Sequence, residues 1–126
     1  MRKVVHFEIP ADDLDRAKQF YRTTFGWQLQ DMPEMDYTIV RTADVDEQTQ
    51  LPTTPGAING GMMRRTAETP AHRCYTIDVD SIDDALAQVT AAGRQCGAAP
   101  NGDPGHGRLR LFKDSDGNTL GLWENV

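Results

Sequence analysis

The feature that most constrains this chain is a repeat of itself. Phe7 and Tyr75 stand 68 residues apart, and at the same offset Ile9 meets Ile77, Leu14 meets Ile82 and Ala17 meets Ala85. In each half an alternating apolar run is followed by an acidic or hydroxyl residue and then by apolar residues at helical spacing. Val5, Phe7 and Ile9 alternate with His6 and Glu8, which reads as a strand ended by Pro10. Asp12 or Asp13 is placed to cap a helix carrying Leu14, Ala17, Tyr21 and Phe25, stopped by Gly26. Trp27 to Gln30, Tyr37 to Arg41 and Ile58 to Arg65 read as three further strands, with a long loop over 44–57. The second half repeats the plan. Cys74 to Val79 forms a strand, and Ser81 caps a helix with an apolar stripe of Ile82, Ala85, Leu86, Val89 and Ala92, ended by Gly93. Strands follow at Gln95 to Ala98, Arg108 to Lys113 and Thr119 to Glu124, the last two joined by an Asp116-Gly117-Asn118 turn. The expected fold class is α+β, with two βαβββ modules (residues 1–66 and 72–126) forming curved mixed sheets in one domain of residues 1–126.

Strand parity turns this plan into a candidate site. Each helix stripe needs a sheet face to cover, so Val5, Phe7 and Ile9 should face the first helix, and Tyr75, Ile77 and Val79 the second. His6 and Glu8 then point to the opposite, helix-free side, together with His72, Cys74, Thr76, Asp78, Gly121 and Trp123. Glu124 shares the parity of Leu122 and belongs on the helix side. A concavity lined by a few polar groups and an aromatic wall is the default place for a ligand. The expected ligand-binding residues are His6, Glu8, Met62 (or its neighbour Met63), His72, Cys74, Thr76 and Trp123.

Composition narrows the partners. The 126 residues suffice for one core without staples, and 38% hydrophobic with 25% charged residues is a globular balance. A formal net charge of −6 argues against nucleic acid and against anionic membrane surfaces. No apolar run reaches the ~20 residues of a membrane span. Cys74 and Cys96 make no CxxC spacing and are too few for a disulfide framework, and the N-terminus carries no signal-peptide pattern, so the expectation is a cytoplasmic protein. Ser81 reads as a helix cap rather than a nucleophile, His106 as a turn residue, and Arg64, Arg65 and Arg73 as partners of the abundant acids.

The phrases His6-Phe-Glu-Ile-Pro, Phe20-Tyr21…Phe25-Gly26-Trp27, Ile58-Asn59-Gly60-Gly61 and Lys113-Asp-Ser-Asp-Gly-Asn118 resemble the vicinal oxygen chelate superfamily of glyoxalases, bleomycin-resistance proteins and extradiol dioxygenases, and within it a bacterial glyoxalase-like branch. The resemblance runs over nearly the whole chain. It implies paired βαβββ modules, often a homodimer, and in catalytic members four ligands to a divalent metal. Carried onto this chain, the first ligand position falls on His6. The second falls near Gly61 to Met63, the third on Cys74 and the fourth on Gly121, none of which carries the usual donor. The expected function is therefore small-molecule binding with no cofactor. The alternative is a lyase or isomerase of glyoxalase type, using Ni, Zn, Fe or Mn on a rearranged site of His6, Glu8 and His72.

Overall fold

A computed structural model describes residues 1–67, 74–92 and 108–125. The chain divides into two compact units, one of residues from His6 onward through the first half, the other of Met1–Val5 with the residues from Cys74 onward.

In the first unit the strands run β1 (Val4–Ala11), β2 (Gln28–Met32), β3 (Tyr37–Arg41) and β4 (Gly60–Arg64), with helix α1 (Leu14–Phe25) after β1 and a single 3-10 turn at Pro33–Met35. Their order is β2-β3-β4-β1. β1 pairs parallel with β4, bringing Glu8 opposite Gly61 and Ile9 opposite Met62. β4 pairs antiparallel with β3, and β3 with β2. α1 starts where the Asp13 carboxylate accepts the Arg16 N–H at 3.0 Å. It ends at Gly26, whose φ of +71° lets its N–H reach Arg22 O. The Asp13 N-cap contributes about 1 kcal/mol.

α1 closes over the face carrying Phe7, Ile9 and Ala11. Val40 and Met62 are fully buried there, packed with Leu14, Ala17, Tyr21, Trp27 and Leu29. The Tyr21 and Trp27 rings stack at 4.9 Å, so Trp27 is a packing residue. The loop expected over 44–57 has structure of its own. Val45 bridges Pro52, and Asp46 accepts the N–H groups of Gln48 and Thr49. Asn59, just before β4, clasps the chain just after β3 and so closes the base of the loop: its Oδ1 accepts from Thr42 N and Ala43 N, and its Nδ2 donates to Ala43 O.

The second unit contains β5 (Cys74–Asp78), α2 (Ile82–Ala91), β6 (Arg108–Lys113) and β7 (Thr119–Glu124). β5 pairs parallel with β7, which pairs antiparallel with β6. Its sheet also engages the chain's start, because Asp78 N donates to Lys3 O at 2.9 Å. Ser81 caps α2 by accepting Asp84 N at 3.1 Å. Val79, Ile82, Ala85 and Leu122 form its core, with Ile77, Leu86 and Phe112 against them. Full burial of a side chain such as Ile82 contributes about 2–3 kcal/mol. Tyr75 departs from the expected pattern: it shares the parity of Ile77 but is exposed. The strand expected at Gln95 to Ala98, the stop at Gly93, and His106 lie outside the described residues.

Candidate functional site

Alternation along β1 sends Phe7 and Ile9 under α1, and so puts His6 and Glu8 on the opposite face. Glu8 is only 7% exposed. A buried carboxylate needs partners, and it has two. His6 Nε2 lies 2.7 Å from Glu8 Oε1, and the Tyr37 hydroxyl donates to Glu8 at 3.0 Å to Oε1, with Oε2 at 3.2 Å. Tyr37 O also stands 3.2 Å from His6 Nε2, closing the triangle. The His6 side chain keeps 33% exposure, so the network opens to solvent through the imidazole.

Tyr37 was not among the residues expected from the sequence. It reaches Glu8 by lying across β4 at Gly61. A Cβ on Gly61 would stand 1.5 Å from the Tyr37 hydroxyl oxygen, so the phenol fills the space a side chain at 61 would take. The Gly60-Gly61 pair was visible as a sign of close backbone approach; what approached was not.

Met62 is corrected by the structure. It pairs with Ile9 and Thr38 and is fully buried in the core under α1, so it does not line the His6 face. Met63, one residue on, has the parity of Glu8. Two adjacent glycines carry no side chains, so they hide the alternation that would have told Met62 from Met63.

In the second unit Cys74 and Thr76 are buried and share the face opposite Ile77 and Val79. At the 68-residue offset they are the counterparts of His6 and Glu8. The Thr76 hydroxyl has no hydrogen-bond partner among the described residues. It lies beside Gly121, where a Cβ would stand 2.8 Å from Thr76 Oγ1 and 3.2 Å from Leu109 Cδ1. Trp123 shares the face of Gly121 and donates Nε1–H to Asn125 Oδ1 at 3.0 Å. Glu124 lies on the helix side, where its carboxylate accepts Ile82 N at 3.0 Å, a second cap for α2. His72 lies outside the described residues.

An open cleft of about 460 Å³ beside the start of α1 is a charged rim rather than a ligand bed. Within its lining Lys18 pairs with Asp15 and Asp31, and Arg64 with Asp36, while Asp12 pairs with Arg65 from outside the cleft. The Lys18 ammonium and then the Thr38 hydroxyl, both bonded to Asp31, hold its carboxyl below the usual range. Reciprocally, the Asp31 hydrogen bond raises Lys18.

The geometry defines a class. A four-strand unit with one parallel pair and a covering helix, echoed by a second strand–helix unit at a 68-residue offset, with polar side chains on the helix-free faces, is the plan of the glyoxalase/bleomycin-resistance/dioxygenase fold. Residues 3–43 match the family model described as bleomycin resistance protein-like N-terminal. A glyoxylase-like domain-containing protein of Didymella fabae is 32% identical, over 89% of this chain and 85% of the relative. The chain belongs to the glyoxalase-like proteins of this superfamily. Among solved structures, a superfamily member from Vibrio splendidus 12B01 aligns with a TM-score of 0.64 at 12% identity, covering 99% of this chain and 100% of that one. A Streptomyces coelicolor methylmalonyl-CoA epimerase variant in complex with 2-nitronate-propionyl-CoA aligns at 0.65 and 18%, covering 98% and 94%. A hypothetical protein from Bacillus halodurans C-125 aligns at 0.66 and 16%, covering 99% and 95%. The relative matched in sequence is fungal, so the bacterial branch expected from the resemblance has no support from it.

The superfamily's divalent metal can be tested against the donors present. His6 is one imidazole, and its Nε2 is already engaged by Glu8. The Tyr37 hydroxyl fills the space at Gly61, and the Thr76 hydroxyl stands against Gly121. Cys74 offers a thiol where oxygen or nitrogen would suit a hard ion. Among the described residues no three His, Cys, Asp or Glu side chains converge. Among the described residues this donor set does not fit the group.

Proposed function

We propose that this glyoxalase-like protein binds a small organic molecule on the helix-free face that carries His6, Glu8 and Tyr37, and does so without a divalent metal. One observation carries the reading: a buried carboxylate, an imidazole and a phenol are tied together over a glycine and reach solvent through the imidazole. Such a fixed polar group on an otherwise packed sheet orients a ligand by hydrogen bonds. Met63, by its parity, is a side-chain neighbour of that surface. Thr76 and Trp123 are proposed as ligand contacts of the second unit, where an unsatisfied hydroxyl seeks a partner. The chain is proposed to act as one domain of two modules, in a cytoplasmic homodimer. An epimerase variant of this fold is in complex with 2-nitronate-propionyl-CoA, which supports an organic ligand here.

A thermal-shift screen of small metabolites on chelator-treated protein tests this. A ligand at one hundred times its Kd adds about 2.7 kcal/mol, a rise of several degrees in Tm. The expected hit loses its shift in His6→Ala and Tyr37→Phe. A screen with no hit, or hits indifferent to both substitutions, counts against the proposal.

A further inference from the structure

The second unit carries a groove on the helix side of its sheet. α2 packs across β7 and β6. Beside that contact, β5 presents Ile77 and Val79 on the same face, with Leu122 of β7 opposite Ile77. Ala85, Val89 and the C-cap Ala92 recur at helical spacing, so one stripe of α2 walls this strip. With Phe112 they line an open groove of about 350 Å³, and ligand clefts begin at roughly 300 Å³. Ile77, Val89 and Phe112 are only half-buried, so apolar surface of the core stays uncovered there. No residue of the His6 face belongs to the groove.

Two exposed polar residues complete the lining. Arg2 Nη1 donates to Gln88 Oε1 at 2.7 Å, which ties the start of the chain to α2 at the groove's mouth. The chain has 19 acids against 13 lysines and arginines, and Arg65 and Arg108 both find carboxylates. Arg2 does not: among the described residues its partner is a neutral amide, and no carboxylate lines the groove. A guanidinium has several N–H donors and no acceptor, so one bond to an amide oxygen leaves the rest for an anion. The Gln88 amide keeps its own N–H donors beside it.

We infer that this groove binds an apolar monocarboxylate, with its hydrocarbon body along Ile77 and Val89 and its carboxylate on Arg2. The lining selects that chemistry from both ends. The floor and wall offer only apolar side chains, so burial of hydrocarbon supplies the affinity. The mouth offers one cation that lacks an ion pair, whose planar fork matches a carboxylate, so charge sets the preference. A cationic ligand is repelled by Arg2. A neutral amphiphile gains the burial without the charge. A dianion puts its second charge either in open water or on the apolar floor, and gains nothing over a single carboxylate.

Methyl carbon-13 NMR of the full-length protein, titrated with octanoate, is the test. The expected result is saturable shifts at Ile77, Val79, Val89 and Leu122. Affinity should rise about fourfold per methylene from hexanoate to octanoate, the worth of one buried CH2. Arg2 is exposed, so Arg2→Gln leaves the fold intact. It should weaken octanoate at least about threefold, within the range of an exposed ion pair, and leave octan-1-ol unchanged. Val89→Trp fills the groove and should abolish binding of both. Where that variant fails to fold, the Arg2→Gln comparison decides. No saturable shift up to about 10 mM octanoate overturns the inference. So does octanoate binding that survives Arg2→Gln or falls together with octan-1-ol, and so do shifts centred on Met63. Contacts from the Ile77 and Val89 methyls to residues 93–107 would give the groove to the chain itself. Shifts that follow protein concentration instead of octanoate would give it to a second copy. Either result overturns the carboxylate.

Discussion

At the scale of single residues, Gly61 and Tyr37 act as one unit. A methyl group at 61 meets the phenol oxygen at 1.5 Å and its ring carbon Cζ at 2.0 Å, so the ring must leave Glu8. Gly61→Ala is expected to cost about 1–3 kcal/mol, the usual range for overpacking. In a Tyr37→Ala background the same change has no ring to displace and should cost less by more than about 0.5 kcal/mol. Urea denaturation of the four proteins measures that coupling, and additive costs would show that the two residues do not share the space. This pair also explains what the sequence hid. Strand parity alone placed His6 and Glu8 opposite Phe7 and Ile9, but the reach of Tyr37 across β4 depends on which residue of β3 lies beside Gly61, and the two glycines carry no alternation to reveal it. Asp31 gives a pH prediction. Its carboxyl is depressed by Lys18 first and Thr38 second, so its stabilising contribution is complete above the unfolded carboxylate value and is lost as pH falls through the lower folded one. Thermal melts from about pH 5 to about pH 2 should therefore fall less steeply for Asp31→Asn than for the native chain. The Asp31 carboxylate is more than half exposed, so the difference is small. Equal slopes would remove the assignment.

At the scale of elements, the caps were the most legible part of the sequence because their chemistry is local. Asp13, Gly26 and Ser81 do what their residue types and positions announced. β3, β6 and β7 run over the expected residues, since each has clear alternation and a turn or loop at its end. Glu124 shows a longer reach. Parity kept it off the helix-free face, but only the tertiary structure shows its carboxylate on the first turn of α2. α2 thus has two caps of different origin, Ser81 within the segment and Glu124 from β7. Ser81→Ala is expected to cost about 0.5–2 kcal/mol. Glu124→Gln, which loses charge but keeps an acceptor for Ile82 N, should cost less than about 1 kcal/mol and lose its effect in high salt. Chemical denaturation at low and high salt checks both. A salt-independent cost for Glu124→Gln would mean that packing, not the charge it sets beside the helix N-terminus and Arg108, is what the carboxylate serves.

At the scale of the molecule, the repeat predicted the plan of two strand–helix modules, and helices opening at Leu14 and Ile82 keep the 68-residue offset. Periodicity could not show which unit holds the chain's start, because Met1–Val5 carries only two charged residues and the first apolar residues of a strand, and pairing partners are not written in it. These residues group with the second unit, where Lys3 O accepts Asp78 N at 2.9 Å and Arg2 donates to Gln88 Oε1 at 2.7 Å. The consequence is a long-range dependence: residues near Asp78 and Gln88 rely on residues at the other end of the sequence. Removing residues 1–3 deletes both bonds and frees the Asp78 amide, while the pairs of β4 with β3 and of β4 with β1 from Phe7 onward remain intact. Hydrogen exchange should therefore show the Asp78 amide losing protection first, with Gly61 to Arg64 changing little, since exchange follows local opening wherever that is cheaper than global unfolding. Equal loss of protection in β4 and at Asp78 would mean that the two units open as one body, and that the first five residues stabilise the whole chain rather than the unit they join.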